Sequence, residues 1–150
     1  FDDLATTLEY AKRSAAITHN HPEGIAGAQA TAAAIFWARK GYDKNDIREQ
    51  ITAQFAYDLT MSCDELRPVY RYTEFCAKTV PPALIAFLDS ENFEHAIRLA
   101  VSLGGDSDTL TAITGSIAEA FYGEIPAEIQ QSALQILPAE LAEILLAVKS

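Results

Sequence analysis

The sequence predicts an all-α protein, and three observations carry that prediction. Apolar residues recur three and four apart along nearly the whole chain. Sustained alternation of the strand type is absent; Tyr70-Arg71-Tyr72 is too short to indicate a strand. Glycines and prolines fall where the periodic stretches begin or end.

Taken in order, Leu4, Leu8, Ala11 and Ala15 mark one face of a first helix. A second helix is expected to start near Pro22, where a missing N–H is tolerated. It runs through Ile25, Ala28, Ala32, Ile35 and Phe36 until Gly41 stops it, and Gly24, Gly27, Ala28 and Ala34 permit close packing. Asn45 or Asp46 is expected to cap a third helix carrying Ile47, Ile51 and Phe55. From Thr60 to Pro82 the periodicity fades, which predicts a long connection with one short helical turn, a length often functional inside a compact domain. Helix resumes over Pro82 to Leu88 and Phe93 to Leu103, the second capped from Ser90, Glu91 and Asn92. After Gly104-Gly105, another begins around Asp106 with the stripe Leu110, Ile113, Ile117 and Phe121, and Gly123 closes it. Pro126 and Pro138 open two short final helices. With no internal repeat, low-complexity tract or linker, residues 1–150 read as one helical unit.

The bulk properties narrow the function classes. At 150 residues with 49% hydrophobic and 21% charged residues, the chain has the balance of a soluble globular domain. Its apolar stretches are too short to span a bilayer. A net charge of −10 argues against a nucleic-acid surface, which needs a dense Lys/Arg field. A small phosphate-bearing ligand stays compatible, because backbone N–H groups and metal ions hold phosphates without net positive charge. Cys63 and Cys76 form no CxxC pattern, and His19, His21 and His95 lack zinc-finger spacing. Two ordinary thiols and the absence of a basic leader before Phe1-Asp2-Asp3-Leu4 make a reducing, cytoplasmic location the expectation. The missing initiator Met is what a fragment or processed piece would show.

Three stretches bear on chemistry. In Leu103-Gly104-Gly105-Asp106-Ser107-Asp108-Thr109, two glycines allow a sharp turn and a close approach, and two carboxylates and two hydroxyls follow directly. Hard cations such as Mg²⁺ take oxygen ligands in octahedral array, and Asp106, Asp108 and Thr109 can converge because a cap residue is not bound to helical angles. The plainer alternative is a helix stop followed by an N-cap, with Asp106 accepting the N–H of Asp108 or Thr109. In Thr18-His19-Asn20-His21-Pro22-Glu23-Gly24, an imidazole can bond to or stack on a sugar or diphosphate; the alternative is a capping segment. Tyr70, Tyr72 and Phe75, near Arg67 and Arg71, can cover an adenine ring or contact a diphosphate, or else form a satellite of the core. His95, between Phe93 and Ile97, reads as a packing residue. Serine or cysteine nucleophile sets, P-loops and dinucleotide fingerprints are absent.

Read together, Thr18 to Gly24, Gly27-Ala28-Gln29-Ala30, Ser102 to Thr109, and Gly115-Ser116-Ile117-Ala118-Glu119-Ala120-Phe121-Tyr122-Gly123 resemble the C-terminal part of the ADP-ribosylglycohydrolase family. That family includes the dinitrogenase-reductase-activating glycohydrolases and the jellyfish J1 crystallins. The resemblance covers almost the whole chain in the right order, and the Gly-Gly-Asp-Ser-Asp-Thr block is its most specific motif.

The resemblance implies an orthogonal multi-helix bundle with two Mg²⁺ ions (Mn²⁺ being a possible substitute) in a cleft. It implies hydrolysis of the glycosidic bond joining ADP-ribose to a protein side chain or a small conjugate. By motif match Asp106, Asp108 and Thr109 would be metal ligands, with Ser107 nearby, and His19 and His21 would contact the ribose or diphosphate. Family members also carry an N-terminal half with a Gly-Asp segment and a Thr-Asp-Asp motif, neither of which occurs here. The other half of the metal shell and the principal acidic residue are therefore expected from a segment outside these residues, and the chain alone is expected to be inactive. The alternatives are a non-catalytic, crystallin-like member of the same fold and an unrelated helical interaction module.

Overall fold

In the computed structural model, residues 1–149 are described, with side chains through Ala147. Among them there is no strand. Asp3 opens α1 (Leu4–Thr18) by accepting the Thr6 N–H at 2.8 Å. α1 lies along α2 (Pro22–Arg39), and the Gln29 side chain donates to the Leu8 carbonyl at 3.0 Å. α2 buries Gly27, Ala30, Ala33, Ala34, Trp37 and Ala38. A Cβ on Gly27 would stand 3.1 Å from Val80 Cγ2 and 3.3 Å from Cys76 Cβ, so glycine sets how closely α2 approaches its neighbour.

α3 (Lys44–Phe55) is capped by Asp43, not by Asn45 or Asp46 as expected. Asp43 Oδ1 accepts the Asp46 N–H at 2.9 Å, and Asp46 returns a bond to the Asp43 N–H at 3.4 Å. Asp46 is thus the reciprocal member of a capping box, three residues in.

The larger departure lies between Thr60 and Pro82. A short α4 (Cys63–Leu66) is the expected helical turn, but α5 (Cys76–Asp89) starts six residues before the predicted Pro82. Pro81 and Pro82 both sit inside α5. An interior proline costs about 3 kcal/mol because it removes an N–H and crowds the preceding turn. Burial outweighs that: Val80, Leu84, Ile85, Phe87 and Leu88 are all buried, at roughly 1.5–3 kcal/mol apiece. α5 is hydrophobic nearly all round because other helices cover it on several sides.

Those neighbours are α2, α6 (Phe93–Ser102) and α7 (Ser107–Tyr122). Asn92 caps α6, accepting the His95 N–H at 2.9 Å, and His95 is half-buried as expected. α7 also packs on α2 and α6, and its buried Thr114 donates to the Ala83 carbonyl of α5 at 2.8 Å. Gly123, at φ +72°, ends α7 in the left-handed region. α8 (Ala127–Ile136) and α9 (Ala139–Lys149) follow Pro126 and Pro138. Among the described residues, no helix is long and apolar enough to cross a membrane.

Candidate functional site

Two segments far apart in sequence carry the candidate residues; the first lines a groove, and the second, Gly104 to Thr109, is not among that groove's lining residues. The first is the α1–α2 turn. His21 is the N-cap of α2: its Nδ1 accepts the Glu23 N–H at 3.3 Å, which leaves Nε2 as the free ring nitrogen. His19 is held differently. Its Nδ1 lies 2.8 Å from Thr18 Oγ1, and its backbone carbonyl accepts the His21 N–H at 2.7 Å. Gly24 passes so close that a Cβ would lie 2.8 Å from the His19 carbonyl oxygen, so this turn folds back only over a glycine.

On one side of His19 a pocket of about 430 Å³ is walled by Asn20, His21, Glu23, Glu74 and Phe75. On the other, an open valley of about 500 Å³ runs between α1 and α2 to Val80 and Ile113. Thr18, His19, Gly24 and Cys76 line both. Ile113 belongs to α7; Thr109 precedes it by about one turn, and Asp106 stands outside the helix as its N-cap residue with ψ +65°.

The second segment is the start of α7. Gly104 and Gly105 have φ of +72° and +63°, a double left-handed turn that side chains other than glycine resist. Asp106 follows as N-cap residue, but its side chain makes no capping hydrogen bond, contrary to the plainer alternative for this motif. The Asp106 carboxyl neighbours that of Asp108, and this neighbour is the leading cause of an Asp108 pKa below the ordinary carboxylate range. The N–H groups of Thr109 and of Asp108 itself lower it further. Two carboxyls this close share a proton or repel one another unless a cation stands between them.

The hydroxyls fit the same picture. Thr111 and Ser116, also on α7, donate to carbonyls four residues back at 2.5 and 2.7 Å. The Thr109 hydroxyl makes no such bond and keeps its lone pairs free. Two carboxylates and a free hydroxyl are donors a magnesium ion accepts, with water or other groups completing six. Among the described residues, no group of three or more His, Cys, Asp or Glu side chains converges to hold a metal ion.

The aromatic segment divides. Tyr70 packs against the core, as its satellite alternative held, while Tyr72 and Phe75 are each 63% exposed. Arg67 is occupied by Asp64 at 2.7 Å and by Ser102, and Arg71 donates to the Tyr70 carbonyl at 2.6 Å. Cys76 and Glu74 at the rim of the His19 pocket were not anticipated. Nothing local marks them, because they reach His19 only through the α2–α5 packing at Gly27.

Known proteins resemble this chain in sequence. The ADP-ribosylarginine hydrolase Tri1 of Pseudomonas putida is 30% identical over 112 residues, covering 71% of this chain and 30% of that protein. An uncharacterized protein of Archaeoglobus fulgidus is 29% identical, covering 78% of this chain and 43% of its own length. The ADP-ribosylhydrolase ARH3 of Gallus gallus is 24% identical, with 88% of this chain and 49% of that protein covered. The chain therefore spans less than half the length of each of these relatives. The family described as ADP-ribosylglycohydrolase matches residues 1–149, and on that match, which sets aside an unrelated helical module, the chain belongs to the ADP-ribosylglycohydrolase family.

Proposed function

We propose that this chain forms the metal-binding and ribose-facing part of a Mg²⁺-dependent hydrolase that releases ADP-ribose from a protein side chain or a small ADP-ribosyl conjugate. The support for this is the Gly104-Gly105 turn that sets the Asp106 carboxyl beside Asp108 with no capping bond spent on Asp106, on the helix whose Ile113 enters the wall of the His19 valley. Arginine-linked ADP-ribose is the first substrate to test, since the Pseudomonas putida relative is named for that linkage.

Asp106, Asp108 and Thr109 would hold the metal, with the remaining ligands and the principal acid or base supplied by polypeptide beyond these residues. A bound magnesium ion supplies charge stabilisation and a polarised water. The chain's own residues do the positioning. The Nε2 of His21 and the ring of His19, both at the wall of the pocket, would face the sugar or diphosphate. The exposed Phe75 ring offers an apolar wall at the same mouth. Cleavage at an anomeric carbon builds oxocarbenium character, and the acid or base that serves it would come from the polypeptide beyond these residues.

The test is release of ADP-ribose from ADP-ribosylated arginine by a polypeptide of the relatives' full length. Asp106→Ala and Asp108→Ala are each expected to abolish magnesium-dependent turnover while leaving the fold intact. Undiminished turnover in either folded variant removes the assignment. A crystallin-like, non-catalytic protein would bind Mg²⁺ and ADP-ribose yet turn over nothing.

A further inference from the structure

We propose that Tyr70 is a positioning residue for the metal-binding turn: its ring is the surface against which Gly104-Gly105 is folded, and so it sets where the Asp106 carboxylate points. This rests on the metal-site reading given above and names a residue outside its ligand set. A Cβ on Gly105 would lie 2.9 Å from Tyr70 Cε1, 3.2 Å from the Tyr72 nitrogen and 3.3 Å from Tyr72 Cα. By contrast nothing lies within 4 Å of the corresponding point on Gly104. The turn is therefore seated on the Tyr70–Tyr72 backbone and the Tyr70 ring at its second glycine.

The seat is itself fixed. The Tyr70 N–H donates to the Leu66 carbonyl at 2.7 Å, and Arg71 clamps the Tyr70 carbonyl. The ring packs on the core, and its hydroxyl is shut away from water with no hydrogen-bond partner. A buried orphan hydroxyl is unfavourable. The Tyr70 atom beneath Gly105 is the ring carbon Cε1, so the ring supplies the seat, and a phenylalanine would fill the same space. Asp106 has no capping bond of its own to orient it. The backbone turn fixes where the Asp106 side chain starts, and the ring seats the turn.

The experiment is calorimetric titration of the full-length polypeptide with Mg²⁺, without substrate, alongside thermal melts. Tyr70→Leu removes the ring edge beneath Gly105 and is expected to weaken Mg²⁺ binding by about tenfold or more, the range for groups that orient metal ligands. Tyr70→Phe keeps the ring and is expected to bind Mg²⁺ as the wild type does, with equal or higher Tm. Ile51→Ala, in α3, is the control for stability alone: it lowers Tm and leaves the Mg²⁺ affinity unchanged. Wild-type affinity in folded Tyr70→Leu overturns the positioning role. Equal weakening in Tyr70→Phe also overturns it, since the hydroxyl would then be the active part. Should Tyr70→Leu fail to fold, Gly105→Ala, in the exposed turn, takes its place: retained affinity there means the seat does not matter, and the proposal falls. If wild type itself takes up no Mg²⁺, the metal site and this inference fall together. If wild type binds, Asp106→Ala does not, and Tyr70→Leu binds normally, only the inference falls.

Discussion

The ammonium of Lys44, in the first turn of α3, donates to the carbonyl and hydroxyl of Ser90 just past the end of α5. It also reaches the Leu88 carbonyl at 3.2 Å and stands 5.2–5.7 Å from the ring centroids of Phe87, Phe121 and Tyr122. A cation at a helix C-terminus meets the negative end of the dipole, and three ring faces add to that attraction. Tyr122 closes the arrangement, its hydroxyl donating to the Ser90 carbonyl at 2.9 Å. Lys44→Met keeps the stem but leaves these acceptors short of a donor, and is expected to cost about 2 kcal/mol. Urea unfolding of Lys44→Met against wild type measures it; an unchanged midpoint would show that the contact carries no stability.

Ala56 ends α3 at φ +56°, the only described residue other than glycine with positive φ. A side chain in the left-handed region costs about 1–2 kcal/mol, because Cβ crowds the following carbonyl. Its N–H still accepts its place in the helix end, donating to the Thr52 carbonyl at 3.0 Å. Ala56→Gly is expected to raise stability by about 1 kcal/mol, the relief of strain less the extra entropy of a glycine in the unfolded chain. A lower Tm would contradict this.

Burial and the neighbouring Asp89 push the Cys63 thiol up from 9.0 to about 12. The folded state therefore holds this proton more tightly than the unfolded state does. The resulting stability is fully present below pH 9 and is lost as pH rises toward 12. The loss over that window is on the order of a few kcal/mol. Cys63→Ala removes the titrating group while leaving the Cys63 N–H to Asp89 contact at 2.7 Å to the alanine backbone. Urea midpoints taken at pH 8 and pH 10.5 should fall less for Cys63→Ala than for wild type. Parallel falls would mean that other groups govern the alkaline limb.

Cys76 stands in contrast, half-buried on the wall shared by both parts of the His19 groove. A thiol reagent at neutral pH is expected to modify Cys76 in the native protein and to spare Cys63. Mg²⁺ with ADP-ribose should slow modification of Cys76 in the full-length polypeptide if the ligand lies where His19 and Phe75 indicate. Peptide mapping of the labelled protein checks both expectations. Labelling of Cys63 at the same rate would mean the core around α4 opens readily.

Most of the helical order was legible because it is local: caps, glycines and apolar spacing all act within a few residues. Asn92, Gly123, Pro126 and Pro138 each mark an element end as their chemistry predicts. The start of α5 was not, because local rules penalise Pro81-Pro82 while the compensation comes from α2, α6 and α7 packed around it. The close approach expected of Gly104-Gly105 is real, but only at Gly105, and its partner Tyr70 is 35 residues earlier. The groove was illegible for the same reason: His19, Cys76 and Ile113 belong to separate elements, and only packing unites them.

His19 and His21 sit two residues apart, yet their roles should separate. His21 supplies the α2 cap through Nδ1, so His21→Ala loses a side-chain acceptor for the Glu23 N–H and is expected to cost about 0.5–2 kcal/mol. His19 caps nothing with its ring; its Nδ1 meets only the neighbouring Thr18 hydroxyl, and both are exposed. His19→Ala should therefore leave Tm nearly unchanged while weakening ADP-ribose binding by the full-length polypeptide in the presence of Mg²⁺. His21→Asn offers the sharper comparison, because an asparagine caps as well as histidine does but has no imidazole Nε2. If His21→Asn restores Tm and still binds ADP-ribose normally, His21 serves α2 alone and the ligand contact belongs to His19. If it restores Tm but loses binding, both rings face the ligand.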